Sequence, residues 1–233
     1  MPVFLQPGRR DFPPLERASE SGLLAIGGDL SRARLLDAYA SGIFPWYEDG
    51  TPILWWALPE RCIVHPGEVH VPASLRRVIN ARRFAITLDT AFDAVIVNCA
   101  RAVRPDQDGT WIVQDMVRAY CDLHNAGFAH SVEAWHEGEL AGGLYGVSLG
   151  NVFFGESMFF HKQDASKVCF VWLARLLKLW GFALIDCQQT TDNLLRFGAY
   201  TVPRDAFMLE LSGALRMRRE PGKWQIPEGF FPL

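Results

Sequence analysis

Apolar residues recur at helical spacing at Val113, Met116, Val117, Tyr120 and Leu123. Residues 113–126 are therefore predicted to form an amphipathic helix, which Gly127 ends. Three shorter runs follow, 129–135, 140–147 and 151–154, with the length and composition of strands. Glu137-Gly138 and Leu149-Gly150 supply turn residues between them, so an antiparallel meander is expected. Asp164 or Ser166 opens an apolar helix to Trp180, and Gly181 closes it. Residues 182–186 then return as a buried strand. Upstream, residues 83–88 read as a strand and 91–102 as a helix. Short helices are expected at 192–197 and 203–215, and the basic, Pro- and Gly-containing stretch from Arg216 is expected to be irregular.

Residues 1–60 have a different texture, rich in Pro, Gly and Trp. Gly22 to Asp29 reads as a short strand closed by a turn, and Asp29 or Ser31 can cap a helix running to about Ser41. Gly42-Ile43-Phe44-Pro45-Trp46-Tyr47 breaks that helix and is expected to expose aromatics on a loop. Trp55-Trp56-Ala57-Leu58-Pro59 reads as a second aromatic loop and a boundary. The expected architecture is α+β: a small N-terminal domain over 1–60, then a domain over 61–233 built on a sheet of mixed direction.

Composition narrows the class. Of the 233 residues, 49% are hydrophobic and 21% charged, so a folded globular chain is expected. The net charge of −3 argues against bulk attraction to nucleic acid, while leaving room for a local basic patch. Five scattered cysteines without CxxC spacing suit reduced thiols in a cytoplasmic protein. Residues 1–16 lack the apolar core of a signal peptide. Arg175 and Lys178 interrupt the most apolar stretch, so no membrane span is expected.

Two segments carry the candidate chemistry. Phe153-Phe154-Gly155-Glu156-Ser157-Met158-Phe159 reads as a strand ending at a glycine, with a carboxylate next. Ile185-Asp186-Cys187-Gln188 repeats the arrangement with a carboxylate and an amide. Polar groups beside aromatics and methionine resemble the rim of an apolar pocket. Period-two alternation puts Asp186 and Gln188 on one face and Ile185 and Cys187 on the other. The bland alternatives are that Asp186 caps the next helix and that Glu156 is a salt-bridged loop carboxylate. Ser157 fails as a hydrolase nucleophile, because Phe159 stands where the tight turn needs glycine. The six histidines show no metal-ligand spacing, and Cys187 is expected to be buried rather than reactive. Arg76, Arg77, Arg82 and Arg83 could grip phosphates or form a solvated face. Trp46 and Trp111, the latter just after an Asp108-Gly109 turn, could stack bases or pack in a core.

The chain resembles the leucyl/phenylalanyl-tRNA–protein transferase family. The resemblance rests on Gly22-Leu23-Leu24-Ala25-Ile26-Gly27-Gly28-Asp29-Leu30, Gly42-Ile43-Phe44-Pro45-Trp46, Trp55-Trp56, Gly109-Thr110-Trp111-Ile112, His130-Ser131-Val132-Glu133, Gly142-Gly143-Leu144-Tyr145-Gly146, the Gly155 to Phe159 run, Ala165-Ser166-Lys167 and Leu184 to Gln188. These motifs stand in order across nearly the whole chain.

The resemblance implies a GNAT-like acyltransferase fold for the second domain. It implies transfer of leucine or phenylalanine, and by pocket chemistry methionine, from aminoacyl-tRNA to an N-terminal Arg or Lys, creating a degradation signal. Glu156, Asp186 and Gln188 match the catalytic and acceptor-binding positions. Trp46 and Trp111 match tryptophans that hold the terminal adenosine, and Leu144, Phe153, Met158, Leu173 and Ile185 match the side-chain pocket. The arginine cluster would hold tRNA phosphates. Ester aminolysis is downhill, so no cofactor or metal is expected, and a monomer is expected. Gln188 would orient the amine while Asp186 tunes it, or the ribose 2′-hydroxyl would relay the proton.

Overall fold

The computed structural model describes residues 2–102 and 110–233, so the expected Asp108-Gly109 turn lies outside the described residues. The first part of the chain forms β1 (Val3–Leu5), β2 (Leu23–Gly27), α1 (Arg32–Ala40), β3 (Phe44–Pro45) and β4 (Leu54–Trp56). The four strands make one small sheet in the order β1-β2-β4-β3. Both aromatic segments expected on loops belong to this sheet. Ile43, Phe44, Tyr47 and Trp55 are buried, because an isolated small sheet has no other apolar surface to close its core. Ser31 sits at the start of α1 without a side-chain cap, and the Asp29 carboxylate instead accepts from the Ser31 N–H at 3.0 Å.

The rest of the chain forms β5 (Glu60–Val64), α2 (Ala73–Asn80), β6 (Ala85–Leu88), α3 (Phe92–Arg101), α4 (Gln114–Asn125), β7 (Ala129–His136), β8 (Glu139–Leu149), β9 (Val152–Phe160), α5 (Ala165–Leu179), β10 (Leu184–Gln188), α6 (Asp192–Arg196), β11 (Tyr200–Pro203) and α7 (Arg204–Leu215). Seven strands make the large sheet, ordered β11-β5-β10-β9-β8-β7-β6. The meander β7-β8-β9 is antiparallel as expected, while β10 runs parallel to β9. The sheet is mixed, as the α+β expectation required.

Strand alternation sends apolar side chains to both faces, so each face has its own core. One core holds Phe154, Leu184, Tyr145, Tyr39 and Tyr120, and it is continuous with the small sheet. The other holds Phe153, Ile185, Leu144 and Leu173, packed under α5. At roughly 2 kcal/mol per large side chain buried, these two cores dominate the stability.

β9 corrects the expectation of a strand ending at Gly155. It continues to Phe160 through a bulge: Tyr145 pairs with Ser157 and Gly146 with Gly155, leaving Glu156 as the extra residue. Gly146 makes this possible, since a Cβ there would lie 2.2 Å from the Phe154 carbonyl oxygen. A second bulge lies in β10. Asp186 pairs with Ile63 and Gln188 with Cys62, leaving Cys187 extra. Gln188 takes φ 53°, the left-handed region. The parallel pairing of β9 and β10 runs as far as Phe154 and Asp186, and the two bulges follow directly.

Candidate active site

A cavity of about 690 Å³ opens beside the bulged ends of β9 and β10. Its apolar lining includes Leu144, Phe153, Met158, Leu173 and Ile185, the five residues that the resemblance put in the side-chain pocket, beside Phe44, Phe170 and Leu194. Trp46 and Trp111 line it as well, and the Trp46 ring is held 5.7 Å from that of Trp56. Ser157 is a wall residue, as expected. Cys187 lines the cavity half-buried rather than fully buried, and its contact with the Cys62 thiol together with burial pushes its own thiol well above 9.

Glu156 and Gln188 are among the polar groups of the lining, where the bulged strand ends meet. The Tyr39 hydroxyl donates to Glu156 Oε1 at 2.7 Å, and the Tyr120 hydroxyl to Oε2 at 3.1 Å. The two tyrosine hydroxyls also lie in hydrogen-bonding contact with each other, a third contact that has a proton of its own only when Glu156 is protonated. Gln188 Nε2 faces Glu156 Oε1 at 3.4 Å. This leaves the Gln188 carbonyl oxygen for another donor. Burial pushes the Glu156 carboxyl up to about 7, against the pull of the two tyrosines. Burial also raises both tyrosines well above 10. The alternative of a salt-bridged loop carboxylate does not hold, since Glu156 sits within a strand and bonds two phenols.

Asp186 is elsewhere. Its register partner Ile63 belongs to one core and Cys62, opposite Gln188, to the other, so the bulge puts Asp186 and Gln188 on opposite faces. This corrects the expectation of a shared face. Asp186 is fully buried and gripped by Arg61, with Nε at 2.9 Å from Oδ1 and Nη2 at 2.7 Å from Oδ2. Its Oδ1 accepts the Gln188 N–H at 2.9 Å. It does not cap the next helix, whose cap is Thr191. Arg61 is itself fixed between the Phe44 and Phe207 rings, at 4.9 and 4.6 Å, and donates to the Gly42 carbonyl at 2.8 Å. One buried cation thus ties the strand that carries Gln188 to the turn before Trp46.

Arg76, Arg77, Arg82 and Arg83 are exposed and outside the cavity lining. Arg82 lies over Phe231 and Arg83 over Phe84, each at 5.5 Å. Among the described residues no cluster of histidine, cysteine or carboxylate side chains could hold a metal ion. No helix there is long and apolar enough to cross a membrane.

Comparison with known proteins decides the family. The model for leucyl/phenylalanyl-tRNA protein transferase matches residues 63–212, and the one for that family's N-terminal domain matches residues 28–58. The chain belongs to the leucyl/phenylalanyl-tRNA protein transferase family. A family member from Oleidesulfovibrio alaskensis is 59% identical over all of this chain and 96% of its own length. Members from Anaeromyxobacter and Myxococcus xanthus are 52% and 53% identical, covering 100% and 96% of this chain and 99% and 97% of their own. Among solved structures, a GCN5-related N-acetyltransferase-like protein from Streptococcus suis gives a TM-score of 0.35 at 14% identity, over 73% of this chain and 67% of that one.

Sequence reasoning missed Tyr39, Tyr120 and Arg61 as supports of this transferase site. Arg61 had one signal, a cation opening the apolar run Cys62-Ile63-Val64. The tyrosines had none, because each reads as an ordinary apolar position on its helix.

Proposed function

We propose that this chain transfers leucine or phenylalanine from aminoacyl-tRNA to the N-terminal Arg or Lys of a protein, as its family name and cavity together support. Methionine fits the same apolar wall. The observation that carries the reading is a carboxylate raised to about 7 in the lining of an apolar cavity, facing the Gln188 amide at 3.4 Å. The donor side chain sits against Phe153, Met158 and Ile185, and the terminal adenosine against Trp46 and Trp111. The divide falls between a small N-terminal domain, 1–60, and the transferase domain, 61–233.

The acceptor's α-amine has an ordinary pKa of ~7.7–8.0. A carboxyl near 7 is well matched to take the proton that this nitrogen sheds as it attacks, and in its ionised form it attracts the cationic acceptor. The Gln188 carbonyl accepts a hydrogen bond from the amine and aims its lone pair at the ester carbon. The neutral amine attacks, forming the C–N bond while its nitrogen gives one proton to Glu156, and collapse breaks the bond to the ribose 3′-oxygen. The proton held by Glu156 goes to that oxygen, leaving an amide and uncharged tRNA. Asp186 acts from behind, holding the Gln188 backbone, with its own charge balanced by Arg61. The arginine cluster contributes tRNA affinity through phosphates. The reaction belongs in the cytoplasm, on a monomer, and the new N-terminus marks the acceptor for degradation.

Incubation with labelled Leu-tRNA and peptides starting with Arg, Lys or Ala tests the reading. Label should pass to the first two alone. Transfer to none of them, or to Ala equally, would refute it.

A further inference from the structure

A second cavity, about 460 Å³, adjoins the first through an aromatic wall. Trp224 lines it, Phe153 lines the first, and their ring centroids are 5.7 Å apart. Its roof is residues 216–225, which follow α7 with neither helix nor strand. This strap is fastened at both ends. Arg219 Nε donates to Asn151 Oδ1 at 2.7 Å, and the guanidinium lies 4.1 Å over Phe182. The Trp224 N–H donates to Asp89 Oδ2 at 2.7 Å, and its indole stacks on His130 at 3.8 Å. Between these points the Gly222 N–H donates to the Gly127 carbonyl at 3.2 Å. The floor is cut to fit, since a Cβ on Gly127 would lie 2.3 Å from the Gly222 nitrogen.

The chemistry of the lining is one-sided. Arg218 and Lys223 line it, both exposed, and have no ion-pair partner among the described residues. The indole N–H groups of Trp180 and Trp224 and the Ser148 hydroxyl have no hydrogen-bond partner there either. Glu220 is the one carboxylate in the lining, and it is exposed. A fixed chamber with idle donors and two idle cations suits an anion with several acceptor oxygens. We propose that this cavity is a binding site for a phosphate group, carried either by a free nucleotide or by the backbone of an RNA strand. The site stands apart from the transfer chemistry, so its test does not depend on activity.

The probe is inorganic pyrophosphate, titrated calorimetrically into the full chain at low salt. Saturable binding is expected, weakened about ten-fold or more in Arg218→Ala/Lys223→Ala and unchanged in the control Arg17→Ala/Arg32→Ala. All four residues are exposed, and a thermal melt confirms that each variant folds. No saturable heat, or equal affinity in the Arg218/Lys223 variant, overturns the proposal. Competitors then assign the source. Displacement of pyrophosphate by ADP but not by uncharged tRNA identifies a free nucleotide. Displacement by tRNA that the Arg218/Lys223 variant loses identifies RNA. Displacement by neither also overturns the proposal.

Discussion

Tyr39→Phe should move the acid limb of the reaction to higher pH. The Tyr39 hydroxyl donates to Glu156 at 2.7 Å and so favours the ionised carboxylate. The carboxyl already stands at about 7 rather than 4.5, which corresponds to roughly 3 kcal/mol against ionisation. A hydrogen bond to a charged acceptor is worth ~1.5–3 kcal/mol, and Tyr120 recovers part of it. A net loss of about 1.4 kcal/mol raises the midpoint by one unit, to about 8. The assay is kcat/KM for an Arg-starting peptide at saturating Leu-tRNA, followed from acid to alkaline pH. Below both midpoints the wild-type log plot should rise with slope ~2, one proton from Glu156 and one from the amine. Glu156→Gln should lower the slope to ~1 along with the rate. The same slope and midpoint in wild type, Tyr39→Phe and Glu156→Gln would refute the role given to Glu156.

The stability arm has its own sign. A carboxyl raised in the folded state keeps its proton between pH 4.5 and about 7 while the unfolded chain has lost it. Stability should therefore fall as pH rises through that window, and Glu156→Gln should flatten the fall in urea unfolding.

The remaining predictions concern the surrounding shell. Arg61→Ala strands a buried Asp186 and should cost ~3–5 kcal/mol in urea unfolding; a loss under ~1 kcal/mol would show that the pair constrains little. Leu144→Phe narrows the apolar wall, so kcat/KM for Phe-tRNA should fall at least ~10-fold more than for Leu-tRNA, and equal losses would remove Leu144 from the donor pocket. Arg82→Ala/Arg83→Ala should reduce the salt slope of tRNA binding by ~1.4–1.8, and an unchanged slope would remove that patch from the tRNA path.

Helical periodicity and turn residues were enough to place the meander and the helices around it, because those elements follow local rules. The wall of the cavity was also legible, through the family resemblance carried by Leu144, Phe153, Met158 and Ile185. The small sheet was harder. Its aromatic segments are two or three residues long, below the length at which alternation can be read, and only pairing makes them strands, β4 with β2 and β3 with β4.

The polar centre was misplaced for a deeper reason. A period-two argument assumes an unbroken ladder, and here both strands break it at the decisive residue. In β9 the bulge falls on Glu156, and in β10 it falls on Cys187. One extra residue reverses the face of everything after it. Asp186, before the break, stays on the core side with Arg61. Gln188, after it, turns to the cavity and meets Glu156. Nothing in Ile185-Asp186-Cys187-Gln188 announces this, since the residue held at φ 53° is a glutamine rather than a glycine. What holds it there is the bond from its N–H to Asp186, and what holds Asp186 is Arg61, 125 positions away in sequence. The positioning of the amide therefore depends on a buried ion pair between distant strands. Arg61→Lys, which keeps the charge but loses the fork, should lower kcat at little cost to the KM for the donor. An unchanged kcat would show that the bulge is held by the backbone alone.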